Sequence, residues 1–165
     1  MTETFADFHF QPFLMEALKD LHFVKPPPVQ EKVIPIVLAN KSVVGQSQTG
    51  SGKPHAFLLP TFEHLEAQNQ NVQVVITTPS RELAYQIYNA AKQLNRFAPQ
   101  KFTIHNYVGG TDKQHQIDQL QRKQPQLVIG TPGRILDLIN SQALDIHTAH
   151  RFVVDEADMT LDMGF

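Results

Sequence analysis

The chain has 165 residues, 41% of them hydrophobic, with no Cys, no Trp and a formal net charge of −2 from 14 basic and 16 acidic side chains. That length suits one domain with a sizeable core. The charge balance excludes a general polyanion binder, so any nucleic-acid contact has to be local. The missing Cys excludes disulfides and thiolate metal sites. The opening residues, Met1-Thr2-Glu3-Thr4-Phe5-Ala6-Asp7, are acidic and contain no apolar stretch of the signal-peptide kind, and no apolar run reaches membrane-spanning length. A cytoplasmic, monomeric protein with no membrane partner is the expectation.

Residues 11–21 place Phe13, Leu14, Ala17, Leu18 and Leu21 on one helical face. Pro26-Pro27-Pro28 is read as stopping that helix and stiffening a connection, before a second helix over 30–38 with Val33, Ile34, Val37 and Leu38 inward. A short apolar run at 42–45 is read as a strand feeding a glycine-rich turn. The helix after the turn carries Ala56, Phe57, Leu58 and Leu59 and then meets Pro60, an expected break or kink. Residues 72–78 form a β-branched run with no helical period, the pattern of a buried strand. Pro79-Ser80 turns into a helix with Leu83, Ala84, Ile87, Tyr88 and Leu94 inward.

A further strand is expected over 101–108 and is broken by Gly109-Gly110. Thr111 and Gln114 have the spacing of a capping box, and the Gln-rich stretch 114–126, broken by Ile117 and Leu120, reads as a surface helix. Residues 126–130 read as a strand, and Thr131-Pro132 caps and starts another helix with Pro at its first position. The last strand, 151–155, ends in acid. Strands alternating with helices predict an α/β class with a parallel sheet and helices on both faces. Ligands of such sheets sit at the carboxyl ends of the strands, so the turns at 46–53, 79–81, 109–110, 131–134 and 155–158 are expected on one rim.

Two stretches carry chemistry. In Ser47-Gln48-Thr49-Gly50-Ser51-Gly52-Lys53 the glycines allow a tight turn that aims backbone N–H groups at one point, and the helix N-terminus and Lys53 add positive charge. This is a cradle for a polyphosphate. Asp155-Glu156 at the end of an apolar strand is the matching half. One carboxylate can hold Mg²⁺, directly or through water, and the other can activate an attacking water. The bland alternatives are a glycine-rich connection and a solvated acidic turn; the presence of both stretches argues against each. The eight His residues show no shared metal-ligand geometry.

Asp155-Glu156-Ala157-Asp158 spells the name of the DEAD-box RNA helicases, and from about Phe5 to Phe165 the chain resembles the N-terminal RecA-like domain of a bacterial member. Phe5, seventeen residues before the His22-Phe23 pair, and Gln30 resemble the family's adenine-reading Q motif. Pro79-Ser80-Arg81-Glu82-Leu83-Ala84, Gly109-Gly110 and Thr131-Pro132-Gly133-Arg134 resemble three motifs that contact the RNA backbone in the family. The resemblance implies ATP and Mg²⁺ as cofactors and sequence-independent RNA binding through Ser80, Arg81, Gly109, Gly110, Thr131, Gly133 and Arg134. It implies nucleotide binding by Phe5, Gln30 and residues 47–53, with Lys53 on the β/γ phosphates, Asp155 positioning Mg²⁺ and Glu156 activating water. It further implies a Q-motif region over 1–41 and a partial RecA-like P-loop NTPase domain over 42–165, together one structural domain.

The sequence departs from the family pattern at Pro54, which replaces the Thr or Ser whose hydroxyl ligates Mg²⁺, and at Pro27, which replaces another Thr. Pro54 offers neither hydroxyl nor N–H and disfavours helical dihedrals at Lys53. By the same resemblance a central Ser-Ala-Thr strand and a second RecA-like domain would follow Phe165. The expected activity of this fragment alone is therefore nil or nearly so. The alternative readings are a non-catalytic nucleotide- or RNA-binding module and a truncated product with no settled fold.

Overall fold

The computed structural model describes residues 4–46 and 52–157. The chain forms two compact units, one from Met1–Leu65 with Ala90–Lys101, the other from Glu66–Asn89 with Phe102–Phe165.

The first unit is helical. A 3-10 turn, Phe5–Phe8, precedes α1 (Pro12–Asp20), α2 (Pro28–Leu38) and α3 (Lys53–His64), and the unit includes the end of α4 (Arg81–Asn95). In α1 the predicted face is buried at Phe13, Leu14, Ala17 and Leu18. Its N-terminus is tied to α3, where the Gln11 backbone N–H donates to the Glu63 carboxylate at 3.0 Å and Gln11 Nε2 donates to the Glu63 carbonyl at 3.0 Å. The proline triplet does not stop α1, which already ends at Asp20 with Leu21 as its C-cap. It starts α2 instead: Pro27 is the N-cap and Pro28 the first helical residue, where a missing N–H loses no bond. Of α2, only Gln30 and Ile34 are buried.

Pro60 does not break α3, which continues to His64. Leu58, Leu59 and Phe62 around it are fully buried and α3 packs along α2, so tertiary burial outweighs the lost intrahelical bond. The strand expected at 42–45 is absent. Residues 41–46 have no regular structure, Val44 is 98% exposed, and no strand pairs with this run among the described residues. A strand needs a neighbouring ladder to satisfy its backbone groups, and this run meets none among the described residues.

The second unit is built on four parallel strands, β1 (Val74–Thr77), β2 (Ile104–Tyr107), β3 (Leu127–Gly130) and β4 (Arg151–Val154), in the order β2-β3-β1-β4. Val75 is in register with Val128 and Phe152, and Tyr107 with Gly130. Val75, Tyr107 and Val128 pack with Leu120 of α5 (Lys113–Arg122) and Ile135 and Leu138 of α6 (Pro132–Asn140). From the alternate positions, Val74, Ile76, Leu127 and Ile129 are no more than 1% exposed. Burial on both faces is why β1 and β3 read as unbroken apolar runs.

The Gln-rich stretch does not behave as a uniform surface helix. Gln116 and Gln126 are buried at 7% and 2% exposure. Gln126 Nε2 donates to the Asn69 carbonyl at 2.8 Å and its Oε1 accepts the Thr103 N–H at 2.9 Å. Nor do Thr111 and Gln114 form a capping box. Asp112 is the N-cap of α5, its carboxylate accepting the His115 N–H at 3.2 Å, while Gln114 donates to Asp118. Asp accepts the orphan N–H as well as Thr and lies one position closer to the helix.

Candidate functional site

Because the four strands are parallel, their carboxyl ends share one rim, as in other open α/β sheets whose ligands bind there. Thr78, Gly109, Thr131 and Asp155 each follow a different strand. Asp155 is 7% exposed, and its backbone N–H extends the β4–β1 ladder by donating to the Thr77 carbonyl at 2.8 Å. Thr78 Oγ1 donates to Asp155 Oδ2 at 3.2 Å, which fixes the carboxylate against the neighbouring strand end. Glu156 follows in a turn with φ of 53°, a left-handed conformation that a non-glycine residue adopts at some energetic cost.

The motifs around Arg81, Gly109-Gly110 and Arg134 meet on the same rim. Ser80 caps α4, its Oγ accepting the Leu83 N–H at 3.1 Å. Arg81 Nη1 reaches the Gly109 carbonyl at 3.4 Å. Gly110 has φ of +81°, a left-handed conformation that favours glycine, and a Cβ there would lie 2.4 Å from Arg81 Nη1 and displace the end of that side chain. Thr131 is the N-cap of α6, but its hydroxyl accepts the Gly109 N–H at 3.3 Å instead of capping its own helix. Arg134 Nη1 donates to the Thr111 carbonyl at 3.1 Å, Thr111 Oγ1 at 3.2 Å and Gln116 Oε1 at 2.8 Å. Gly133 is exposed on the first turn of α6, with open space where a Cβ would stand.

In the helical unit, Gly52 precedes α3 with φ of +86°, and a Cβ on it would lie 2.7 Å from Gln30 Nε2 and 2.9 Å from Pro27. Gln30 Nε2 donates to the Gly52 carbonyl at 3.0 Å, and Gln30 Oε1 is buried with no partner among the described residues. Lys53 opens α3 with Pro54 in the first turn, so Pro54 does not keep Lys53 from helical dihedrals. An N–H there has no intrahelical acceptor in any case. Phe5 is only 2% exposed, its ring centroid 6.3 Å from that of Phe8, which leaves little face for a base. Phe23 is 37% exposed and meets the His55 ring edge to face at 5.1 Å. Burial pushes the His55 imidazole below its ordinary range. Ser47, Gln48, Thr49, Gly50, Ser51 and Asp158 lie outside the described residues.

The residues present partly fit a nucleotide and its metal. The buried, unpaired Gln30 Oε1 and the Gly52 turn suit a ligand with a donor edge, and Asp155 is a fixed carboxylate. Pro54 supplies no hydroxyl to a metal. Thr78, Thr111 and Gln116 were not legible as parts of a site. A Thr at a strand end and a Gln in a Gln-rich helix carry no local signal, and only the fold brings them to Asp155 and Arg134.

Residues 27–165 match the family model described as DEAD/DEAH box helicase. The chain is 51% identical over 165 residues to the DEAD-box ATP-dependent RNA helicase CshB of Bacillus cereus, covering 99% of this chain and 38% of that protein. It is 52% identical over 161 residues to CshB of Listeria monocytogenes, covering 98% and 37%. The crystal structure of a DEAD box protein from the hyperthermophile Methanococcus jannaschii superposes with a TM-score of 0.89 at 36% identity, covering 98% of this chain and 43% of that one. The chain thus spans less than two-fifths of the length of these two relatives. With the parallel α/β sheet and the motif order already described, the match places this chain in the DEAD/DEAH box helicase family.

Proposed function

We propose that this chain is the ATP- and RNA-binding N-terminal part of an ATP-dependent RNA helicase, a hydrolase that couples ATP turnover to local separation of RNA strands. The observation that carries the reading is the rim of the parallel sheet, where hydrogen bonds link Arg81 to Gly109 and Gly109 to Thr131, and Arg134 is held by Thr111 and Gln116, on the rim that also carries the Thr78–Asp155 pair. Arginines, a glycine-flanked turn and helix N-termini are phosphate ligands that read no sequence. Ser80 and Gly133 complete that face.

Gln30 and Phe23 would recognise the base, with Phe5 packed in the core as support, and residues 47–53 would hold the phosphates, Lys53 supplying the charge. Mg²⁺, when bound, would neutralise the phosphate oxygens; Asp155 would hold it, through water. Glu156 would orient and deprotonate the attacking water.

Pro54 favours a second reading, a nucleotide- and RNA-binding module without turnover. Loss of one hydrogen bond to a charged phosphate costs about 1.5–3 kcal/mol before any metal contribution, which corresponds to a tenfold or larger loss of affinity. Calorimetric titration with Mg·ATP is expected to show at least tenfold tighter binding by Pro54→Thr than by the parent chain. Equal affinities would mean that position 54 does not face the nucleotide.

A further inference from the structure

We infer that Gln116 is a positioning residue for RNA-backbone binding: it holds one nitrogen of the Arg134 guanidinium so that the remaining edge is presented to a phosphate. The inference rests on the reading that the rim binds RNA. Gln116 lies on α5, is 7% exposed, and uses both ends of its amide. Its Oε1 accepts from Arg134 Nη1 at 2.8 Å, and its Nε2 donates to Thr111 Oγ1 at 2.8 Å. Thr111 Oγ1 in turn donates to the Val108 carbonyl at 2.6 Å and accepts from Arg134 Nη1. The chain of bonds runs from the end of β2 through the Gly109-Gly110 turn to the first turn of α6.

Every described bond of Arg134 falls on Nη1. Nη2 and Nε have no acceptor among the described residues, and the residue is part-exposed on the rim. A guanidinium donates in a planar fork, so fixing one nitrogen fixes the direction of the others. An arginine oriented in this way loses less rotamer freedom on meeting a phosphate than one free in solvent, which is preorganisation of the contact. Gln116 is suited to the task because a neutral amide accepts from Arg134 without adding negative charge to a face that has to attract RNA.

The test uses the 165-residue chain and a short fluorescent oligouridylate, with affinity measured across a series of salt concentrations. The variants are Arg134→Ala, Gln116→Met, which keeps the volume and removes the amide, and the double variant. Thr111→Val removes the other side-chain acceptor independently. Gln116→Met and Thr111→Val are each expected to weaken RNA binding about tenfold at low salt. Each should also lower the slope of log affinity against log salt by about 0.7, the loss of one phosphate contact on a single strand. The Gln116→Met and Arg134→Ala losses should not add in the double variant. A substitution that merely loosened the fold would shift the melting midpoint and leave the slope in place. Additive losses, or an unchanged slope in Gln116→Met and Thr111→Val while Arg134→Ala reduces it, would overturn the inference and leave the RNA-binding reading intact. If the parent chain binds no RNA, or Arg134→Ala binds as tightly as the parent, the rim reading fails and the inference falls with it.

Discussion

A hydroxyl on the residue just before the Pro79-Ser80 turn decides how Asp155 is held. Thr78 follows β1 and is fully buried, and its donation to Asp155 Oδ2 satisfies part of a carboxylate that has little access to water. Removing a donor from a buried charged acceptor costs more than removing both partners together, about 1.5–3 kcal/mol for a bond to a charged group. Thr78→Val keeps the shape and loses the donor. It is expected to lower the denaturant midpoint by an amount equivalent to that range, whereas Thr78→Ser stays close to the parent. Chemical denaturation with parallel far-ultraviolet dichroism and fluorescence checks this. A Val variant as stable as the parent would mean that other partners of Asp155 suffice.

At the level of helices and strands, apolar spacing located α1 and α4, the Ile117 and Leu120 breaks in the Gln-rich stretch located α5, the Thr131-Pro132 start located α6, and short runs bounded by turn residues located the strands at 72–78, 101–108, 126–130 and 151–155, because local signals of this kind are written in the sequence itself. Prolines were the weak point. The triplet at 26–28 opens α2 instead of closing α1, and Pro60 sits inside α3. Proline's lost bond is local, while the packing that overrides it comes from distant residues. The run at 42–45 had the composition of a strand, but composition cannot supply the neighbour that a ladder needs. In the candidate site the motifs marked Arg81, Gly109, Thr131, Arg134 and Asp155, yet the residues that orient them, Thr78 and Gln116, became visible only through contacts.

Pro35 tests the same balance where packing is weak, since it lies in the interior of α2 and is exposed. Proline in an exposed helix interior costs about 3 kcal/mol relative to alanine, offset by roughly 1 kcal/mol from its stiffening of the unfolded chain. Pro35→Ala should therefore gain about 2 kcal/mol in urea denaturation; a loss would show that the proline ring's stiffening of the chain outweighs the missing helical bond. In α3, the half-buried His55 imidazole is favoured neutral because it is partly desolvated. The unfolded chain takes up the proton first as pH falls, so this contribution is complete above the ordinary value of 6.5 and declines below it. His55→Phe should flatten the fall in melting temperature between about pH 6.5 and 5. The part that remains is assigned to other groups such as His105, whose pKa is also lowered by burial and by Lys123.

For the molecule as a whole, the outer strand of the sheet matters most. β4 pairs with β1 on one side only among the described residues, and it carries Phe152 at 59% and Val154 at 48% exposure. Both are large and apolar, and they alternate with Arg151 and Val153 along this outer parallel strand. Such an edge offers unpaired amides and carbonyls beside apolar side chains, which invites pairing with another chain. The small net charge of −2 gives little repulsion to oppose that association. Lysine is the residue most used to blunt an edge, because pairing would bury its charge. Phe152→Lys, with Val154→Lys as an independent variant, is expected to raise the protein concentration at which light scattering first appears, by several-fold in order of magnitude. The melting midpoint should change little, since surface substitutions of this kind lie within about 0.5 kcal/mol. If scattering sets in at the same concentration in both variants, association proceeds through another surface. If the midpoint falls by several degrees, the two side chains are packed in solution and the edge is already covered.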